Sequence, residues 1–314
     1  MASDVSPRGS IPPRARLIEA AVRGLSALLG RLPWSVAQRI GRGIGSLTWH
    51  LGRRDRRRAL EHLAIAYPEQ SEDERIALAR ACFRHHGTTL AELLHLRHRN
   101  WRQLASHIVC EGWEHIAEAR RRGQSVLIVS GHCGNWEMLA ALTNGRGRDL
   151  PPDQQLALSV IARSWNEPNL NRIMVDLRRR FGSETIERGQ PDSARRLLGV
   201  LRRGDALALL IDQDTDVDGV WVPFFGRLAF TPSAAAKLGR RPKVAVIPTF
   251  SERLADGRHR VTFRPPVDLP QDEREGTARL TAEIERQVRK CPEQWVWMHR
   301  RWRRRPPVEE TPAG

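Results

Sequence analysis

The segment Ser130-Gly131-His132-Cys133-Gly134-Asn135-Trp136-Glu137 sets an imidazole and a carboxylate five residues apart, directly after the apolar run Ser125 to Val129. On one continuous helix five residues turn through about 500°, which leaves the two side chains about 140° apart, so the pair can meet only across a bend. Gly131 and Gly134 can supply that bend between a buried strand over 126–129 and a helix beginning at Asn135 or Trp136. The imidazole then lies in the loop and the carboxylate in the first helical turn, where Glu137 would orient His132 as a general base. A strand-to-helix corner holding an ordinary hydrogen-bonded histidine has the same spacing, so the pattern needs support from the rest of the chain.

The elements that must position this pair can be read from periodicity. After the bend, apolar runs over 156–161, 206–211 and 244–250 read as further buried strands, and 261–263 as an added strand at an edge. Helical spacing fills the intervals 169–181, 192–203 and 231–238, and a closing helix runs from about Arg274 to Lys290, stopped by Cys291-Pro292. Alternating strands and helices predict an α/β fold with a mainly parallel sheet flanked by helices. Nothing among the 314 residues resembles a long linker, so one large domain over 59–306 is expected, with a helical extension over 1–58 and a disordered tail over 307–314. Upstream, 71–95 has helical spacing with Ser71 three residues before Glu74 as a capping box.

Composition narrows the partners. The formal charge of +16 is carried almost wholly by arginine, since Lys237, Lys243 and Lys290 are the only lysines. Such a surface attracts acidic partners: an anionic lipid, a phosphorylated sugar, an acidic carrier protein or nucleic acid. Four widely spaced cysteines form no CxxC pair, so neither zinc nor a disulfide framework is expected. The start of the chain carries Pro7, Pro12 and Pro13 and has no signal-peptide apolar core, so a flexible beginning and a cytoplasmic location are expected.

No stretch of about 18 uncharged apolar residues appears, so a spanning helix cannot be drawn. Instead Leu17, Ile18, Ala21, Val22, Leu25, Leu28, Leu29 and Leu32 share an arc of about 140° opposite Arg16, Glu19 and Arg23. That stripe suits docking on a core or in a membrane interface. Trp34, Trp49 and the basic block 53–58 favour an anionic membrane surface.

Several features have plainer readings. His85, His86, His95, His98 and His107 lack paired metal-ligand spacing and are expected to be solvated. Asp214 to Gly219 fits the first half of a calcium loop, but Phe225 stands where a bidentate glutamate is required, so no metal is expected. The glycines Gly41, Gly43 and Gly45 follow no strand and are expected to allow close helix packing, not to bind a nucleotide.

Together, the HxxxxE pattern, Val160-Ile161-Ala162-Arg163, Ile211-Asp212-Gln213-Asp214 with Val222-Pro223-Phe224-Phe225-Gly226, and Pro292-Glu293-Gln294-Trp295 through His299-Arg300-Arg301-Trp302 resemble the lipid A late acyltransferases. These belong to the wider glycerolipid acyltransferase superfamily, and the resemblance runs from about Ile44 to Pro306. It implies a glycerolipid acyltransferase-like fold and a metal-independent, cofactor-free transfer of an acyl chain from a thioester to a hydroxyl. His132 and Glu137 would be the catalytic pair, with Asn135, Arg163, Arg188 and Asp212 in substrate binding. Amides near Asn135 would hold the oxyanion, and Arg163 either the oxyanion or an acceptor phosphate. Asp212 would sit at a strand end, tying down a cationic loop near Arg163 or Arg188. The donor implied is acyl carrier protein, or acyl-CoA, and the acceptor a lipid A precursor or related glycolipid at the cytoplasmic face of the inner membrane.

Rival readings remain at this stage. A phosphatidylinositol mannoside or other lysolipid acyltransferase using acyl-CoA shares the chemistry. Cys133 beside His132 offers a covalent acyl-cysteine route, although adjacent side chains seldom point the same way. A basic nucleic-acid-binding protein fits the charge, but no binding motif appears and the arginines are spread along the chain, so no nucleic-acid partner is expected.

Overall fold

The computed structural model describes residues 13–163 and 168–306. The expected flexible start, the tail 307–314 and the side chains of Leu17 and Ile18 lie outside the described residues.

The chain opens with helices α1 (Pro13–Arg31), α2 (Trp34–Leu51), α3 (Arg53–Ala66) and α4 (Glu72–Leu96), followed by the short α5 (Trp101–Ala105). The Ser71 capping box forms as the sequence predicts, Ser71 and Glu74 each bonding the other's backbone N–H. Gly41 and Gly45 of α2 lie against Phe83, Gly87 and Thr88 of α4 so closely that a Cβ on either would collide with backbone. Gly41 and Gly45 therefore serve helix packing, whereas Gly43 is exposed and packs against nothing. On α1 the apolar stripe docks on α4: Leu29 is fully buried with Ala91 and Leu94, and Ser26 Oγ donates to the Leu94 carbonyl at 2.8 Å. The boundary expected after residue 58 falls inside α3.

Strands and helices then alternate: β1 (Ile108–Glu111), α6 (Trp113–Arg121), β2 (Ser125–Ser130), α7 (Trp136–Gly147), β3 (Leu158–Ala162), α8 (Pro168–Arg180), β4 (Glu184–Glu187), α9 (Ser193–Arg202) and β5 (Ala206–Leu210). A hairpin of β6 (Gly219–Phe224) and β7 (Arg227–Pro232) follows, then α10 (Ala234–Gly239), β8 (Val244–Arg253), β9 (His259–Phe263), α11 (Glu273–Lys290) and a 3₁₀ turn at Pro292–Gln294.

Among the described residues seven strands form one sheet in the order β1-β9-β8-β2-β5-β3-β4, parallel except for β8 with β9. Each central strand is buried on both faces, as a parallel sheet between helices requires. Leu127, Val129, Leu207 and Leu209 face a core closed by α9, α11 and Leu63 of α3. Val126, Ile128, Ala206 and Ala208 face a second core closed by α6 and α7.

Two expectations need correcting. The strand at 261–263 exists as β9 but is not an edge, because β1 pairs along its outer side. The edges β1 and β4 are four residues each, too short for alternation to reveal. The helix expected over 231–238 begins only at Ala234, since Thr231 and Pro232 end β7. The hairpin itself turns at Phe225 and Gly226, both with positive φ of 51° and 70°. That mirror-image turn matches strand twist but places a phenylalanine where asparagine or glycine would have signalled it.

Candidate active site

The sheet's own register brings the central pair together. β2 and β5 are adjacent parallel strands with Ser130 opposite Leu210. Two residues beyond each strand end stand His132 and Asp212, so the two side chains leave neighbouring strands at the same level. His132 Nδ1 lies 2.8 Å from Asp212 Oδ1, and the His132 backbone N–H donates to Asp212 Oδ2 at 2.7 Å. The Trp295 indole N–H donates to the same Oδ2 at 2.8 Å. Burial alone would raise the Asp212 carboxyl, but the His132 charge, its two hydrogen bonds and the Trp295 donor outweigh it and hold the group well below the ordinary carboxylate range. An ionised Asp212 accepts only, so Nδ1 carries a proton, and in the neutral imidazole Nε2 keeps its lone pair. The imidazole is 21 % exposed while the Asp212 side chain is sealed, so Nε2 belongs to the part of the pair that a substrate can reach.

Glu137 stands elsewhere, and the expected bond to His132 is not made. Asn135 caps α7, which sets Glu137 in the first turn facing α8. There Arg178 takes both carboxylate oxygens, with Nη2 at 2.7 Å from Oε1 and Nε at 3.1 Å from Oε2. Burial tends to lower the Arg178 pKa, yet the Glu137 charge and hydrogen bonds leave it raised above the ordinary arginine value. Glu137 thus ties the start of α7 to α8, and Asp212, expected to tie down a cationic loop, is instead the partner of the imidazole.

Other predicted residues gather at the same edge. Arg163 follows β3 and is exposed; Arg188 follows β4 and donates its backbone N–H to the Ala162 carbonyl at 2.8 Å. Burial and the charge of Arg163 lower the Arg188 pKa, which records the proximity of the two cations. His132, Arg163, Arg188 and Asp212 therefore leave the C-terminal ends of four adjacent parallel strands, where ligand sites collect in open α/β sheets. The first amides of α7, at Asn135, Trp136 and Glu137, have no partner inside the helix by its geometry. Trp136 packs edge-on against His132 with ring centroids 4.9 Å apart.

Cys133 lies almost fully buried in the loop, and burial followed by the Asp212 charge pushes its thiol well above the ordinary value. A thiolate nucleophile is disfavoured there.

Sequence reasoning missed the scaffold behind the loop. Gly134 is held through its N–H by the Gln294 carbonyl at 2.9 Å and through its own carbonyl by His85 Nε2 at 3.2 Å. Asn135 Nδ2 donates to Glu92 Oε2 at 3.0 Å. Glu92, fully buried on α4, also accepts from Arg253, Gln38 and His259. Of the histidines expected in solvent, only His98 is exposed: His85 and His95 are buried, and burial pulls His86 and His95 down to about 4.

The tryptophan-arginine ending covers the core, with Trp295, Trp297 and Arg301 fully buried. The acidic run is neutralised from the same segment: Arg303 Nη2 donates to Asp216 at 2.8 Å and the Arg304 backbone N–H to Asp214 at 3.1 Å. Among the described residues no group of three or more histidine, cysteine or acidic side chains could hold a metal ion.

Comparison with known proteins decides the family. Residues 12–304 match the bacterial lipid A biosynthesis acyltransferase family. The chain belongs to that family. It is similar to the lipid A biosynthesis myristoyltransferase of Escherichia coli (strain K12), at 28 % identity over 93 % of this chain and 88 % of the relative. Similarity to the lauroyltransferase of the same strain is 26 % over 90 % of both chains, and to its palmitoleoyltransferase 26 % over 92 % of both. This member is accordingly an acyltransferase built on a mainly parallel α/β sheet.

Proposed function

We propose that the protein transfers a fatty acyl chain from a thioester, acyl carrier protein before coenzyme A, to a hydroxyl of a lipid A precursor or related glycolipid, with His132 as general base. An alcohol is a weak nucleophile at neutral pH and needs a base within hydrogen-bond reach. His132 Nε2 takes the hydroxyl proton as the oxygen attacks the thioester carbon, and Asp212 holds Nδ1–H and balances the imidazolium that forms. The first amides of α7 and the Arg163 guanidinium offset the oxyanion. Collapse breaks the carbon–sulfur bond, and the imidazolium returns its proton to the departing thiolate. Glu137 acts at one remove, by fixing through Arg178 the helix start that carries those amides. The observation that carries this reading is the His132–Asp212 pair at the mouth of the sheet, with its second imidazole nitrogen unclaimed.

Membrane association follows from the helical layer. Leu28, Leu47, Leu51 and Leu90 are 55 %, 58 %, 72 % and 46 % exposed, with Arg39, Arg42, Arg53, Arg54 and Arg57 also exposed on the same layer. No helix among the described residues is long and apolar enough to cross a membrane. Helices α1 to α3 therefore rest on the anionic cytoplasmic face of the inner membrane, with arginines at the headgroups.

Purified wild type and His132→Ala are compared using a labelled acyl carrier protein thioester and a lipid A precursor, with products resolved by mass spectrometry. Product from wild type alone is expected. Equal turnover by His132→Ala contradicts the mechanism, and wild-type product only with acyl-CoA reassigns the donor.

A further inference from the structure

A cavity of about 320 Å³ opens between α3 and the C-terminal segment, apart from the His132 loop. Its size falls at the lower end of the range of about 300–1,000 Å³ common for small-ligand sites. Five arginines line it, Arg54, Arg57 and Arg58 from α3 with Arg300 and Arg303 from the ending, against one acid, Glu61.

The protein does not neutralise this group by itself. Arg57 reaches Glu61 only at 3.5 Å between exposed side chains, and Arg303 is drawn toward Asp214 and Asp216. Arg58 is the anchored member, donating to the Met298 carbonyl at 3.0 Å and reaching Asp55 at 3.3 Å. Arg54 and Arg300 have no acidic partner among the described residues. The arginines also crowd the first turns of α3, the positive end of its macrodipole, where carboxylates normally stand.

An unpaired donor lies in the cavity wall. Trp302 lines it, packed edge-on against His62 with centroids 5.2 Å apart, and its indole N–H is buried without a protein partner. A buried unpaired donor is costly unless a ligand or water satisfies it. His62, buried at the wall, spends Nδ1 on the Trp297 carbonyl at 2.8 Å. Trp297 lies two residues from Trp295, the residue that holds Asp212, so one segment serves both the catalytic pair and this cavity.

We propose that this cavity binds a phosphomonoester. Such a group carries about −1.5 to −2 charges at neutral pH and presents oxygens that match arginine forks. Its source, given the acceptor reading above, is the phosphate of a lipid headgroup, and the site holds the acceptor by that phosphate while its hydroxyl reaches His132.

The full chain and an Arg54→Gln/Arg300→Gln variant are tested for binding to phosphatidylcholine vesicles carrying either phosphatidic acid, a phosphomonoester, or phosphatidylglycerol, a phosphodiester, at matched surface charge. Wild type should prefer the phosphatidic acid vesicles by about tenfold, and the variant should lose that preference. An Arg279→Gln/Arg286→Gln variant, which removes the same charge from α11, should keep it. Competition by millimolar inorganic phosphate assigns the site to small phosphates; resistance to it assigns the site to headgroups. Equal binding to both vesicles by wild type, or a preference retained in Arg54→Gln/Arg300→Gln, overturns the proposal. In turnover the same variant should raise half-saturation for a phosphorylated acceptor about tenfold, with little change for its phosphatase-treated counterpart; a shift confined to the acyl donor overturns the proposal. Absence of wild-type turnover counts against the proposed function alone, since the vesicle comparison does not depend on catalysis.

Discussion

Two histidine-carboxylate pairs stand on opposite sides of the same loop. His132 with Asp212 joins two parallel strand ends, one partner sealed and the other 21 % exposed. His259 with Glu92, 3.1 Å apart, is sealed completely, and Arg253, Gln38 and Asn135 occupy the rest of the carboxylate. The groups are alike, and access separates them. In the first pair an imidazole nitrogen lies where a substrate can reach it; in the second His259 Nδ1 is also without a partner but is sealed, and the carboxylate holds β8, β9, α2 and the start of α7 in place. For Glu92, burial would raise the carboxyl, but the charges of His259 and Arg253 hold it well below its ordinary value. In the proposed mechanism one pair does the chemistry, and the other fixes the loop that presents it.

The sharpest way to break this contrast is through the sealed pair. Glu92→Ala leaves Arg253 buried without its partner and should lower unfolding stability by about 3–5 kcal/mol, measured by denaturant titration. A Glu92→Ala protein with normal stability and lost turnover would make Glu92 part of the chemistry and dissolve the distinction.

Glu137→Gln comes next. It keeps the shape of the Arg178 contact and removes its charge, so turnover should fall about tenfold through slackening of the α7 start, with the pH–rate profile unmoved. A displaced profile would mean that Glu137 tunes the His132 base after all.

A smaller, graded effect belongs to the buried histidines of the scaffold. Burial brings His86 and His299 down to about 4. An unfolded chain takes up protons at these sites as pH falls through about 6.5, while the folded chain does so only near 4. The stabilisation is therefore complete above about pH 6.5 and is lost progressively toward pH 4. Scanning calorimetry should show Tm falling across that window, and a flat Tm would contradict the assignment of these residues as buried and neutral.

Much of the fold was legible because its central strands are unbroken apolar runs, a pattern that only a two-sided parallel sheet requires. The bend after β2 and the capping box of α4 followed from local chemistry. Non-local facts were not legible. That Asp212 and not Glu137 meets His132 depends on β2 and β5 being neighbours in register, which nothing near either residue encodes. Glu92 reads as an ordinary helical acid until Arg253 and His259, more than 160 residues away, arrive to bury it. Short edge strands carry too few residues for a period, and Phe225 disguised a hairpin turn.

The account stands most directly on the turnover number of Asp212→Asn beside His132→Ala and the double variant, at saturating donor and acceptor. An amide at 212 keeps the shape of the contact but loses the charge and can present the wrong tautomer to Nδ1. The corresponding change in a serine-protease triad costs about 10⁴-fold, and a loss of about 10³–10⁴-fold is expected here. The double variant should be no worse than His132→Ala alone, because the pair acts as a unit. Asp212→Asn retaining a large share of wild-type turnover, while Glu137→Gln collapses to the level of His132→Ala, would contradict the pairing and return the orienting role to Glu137.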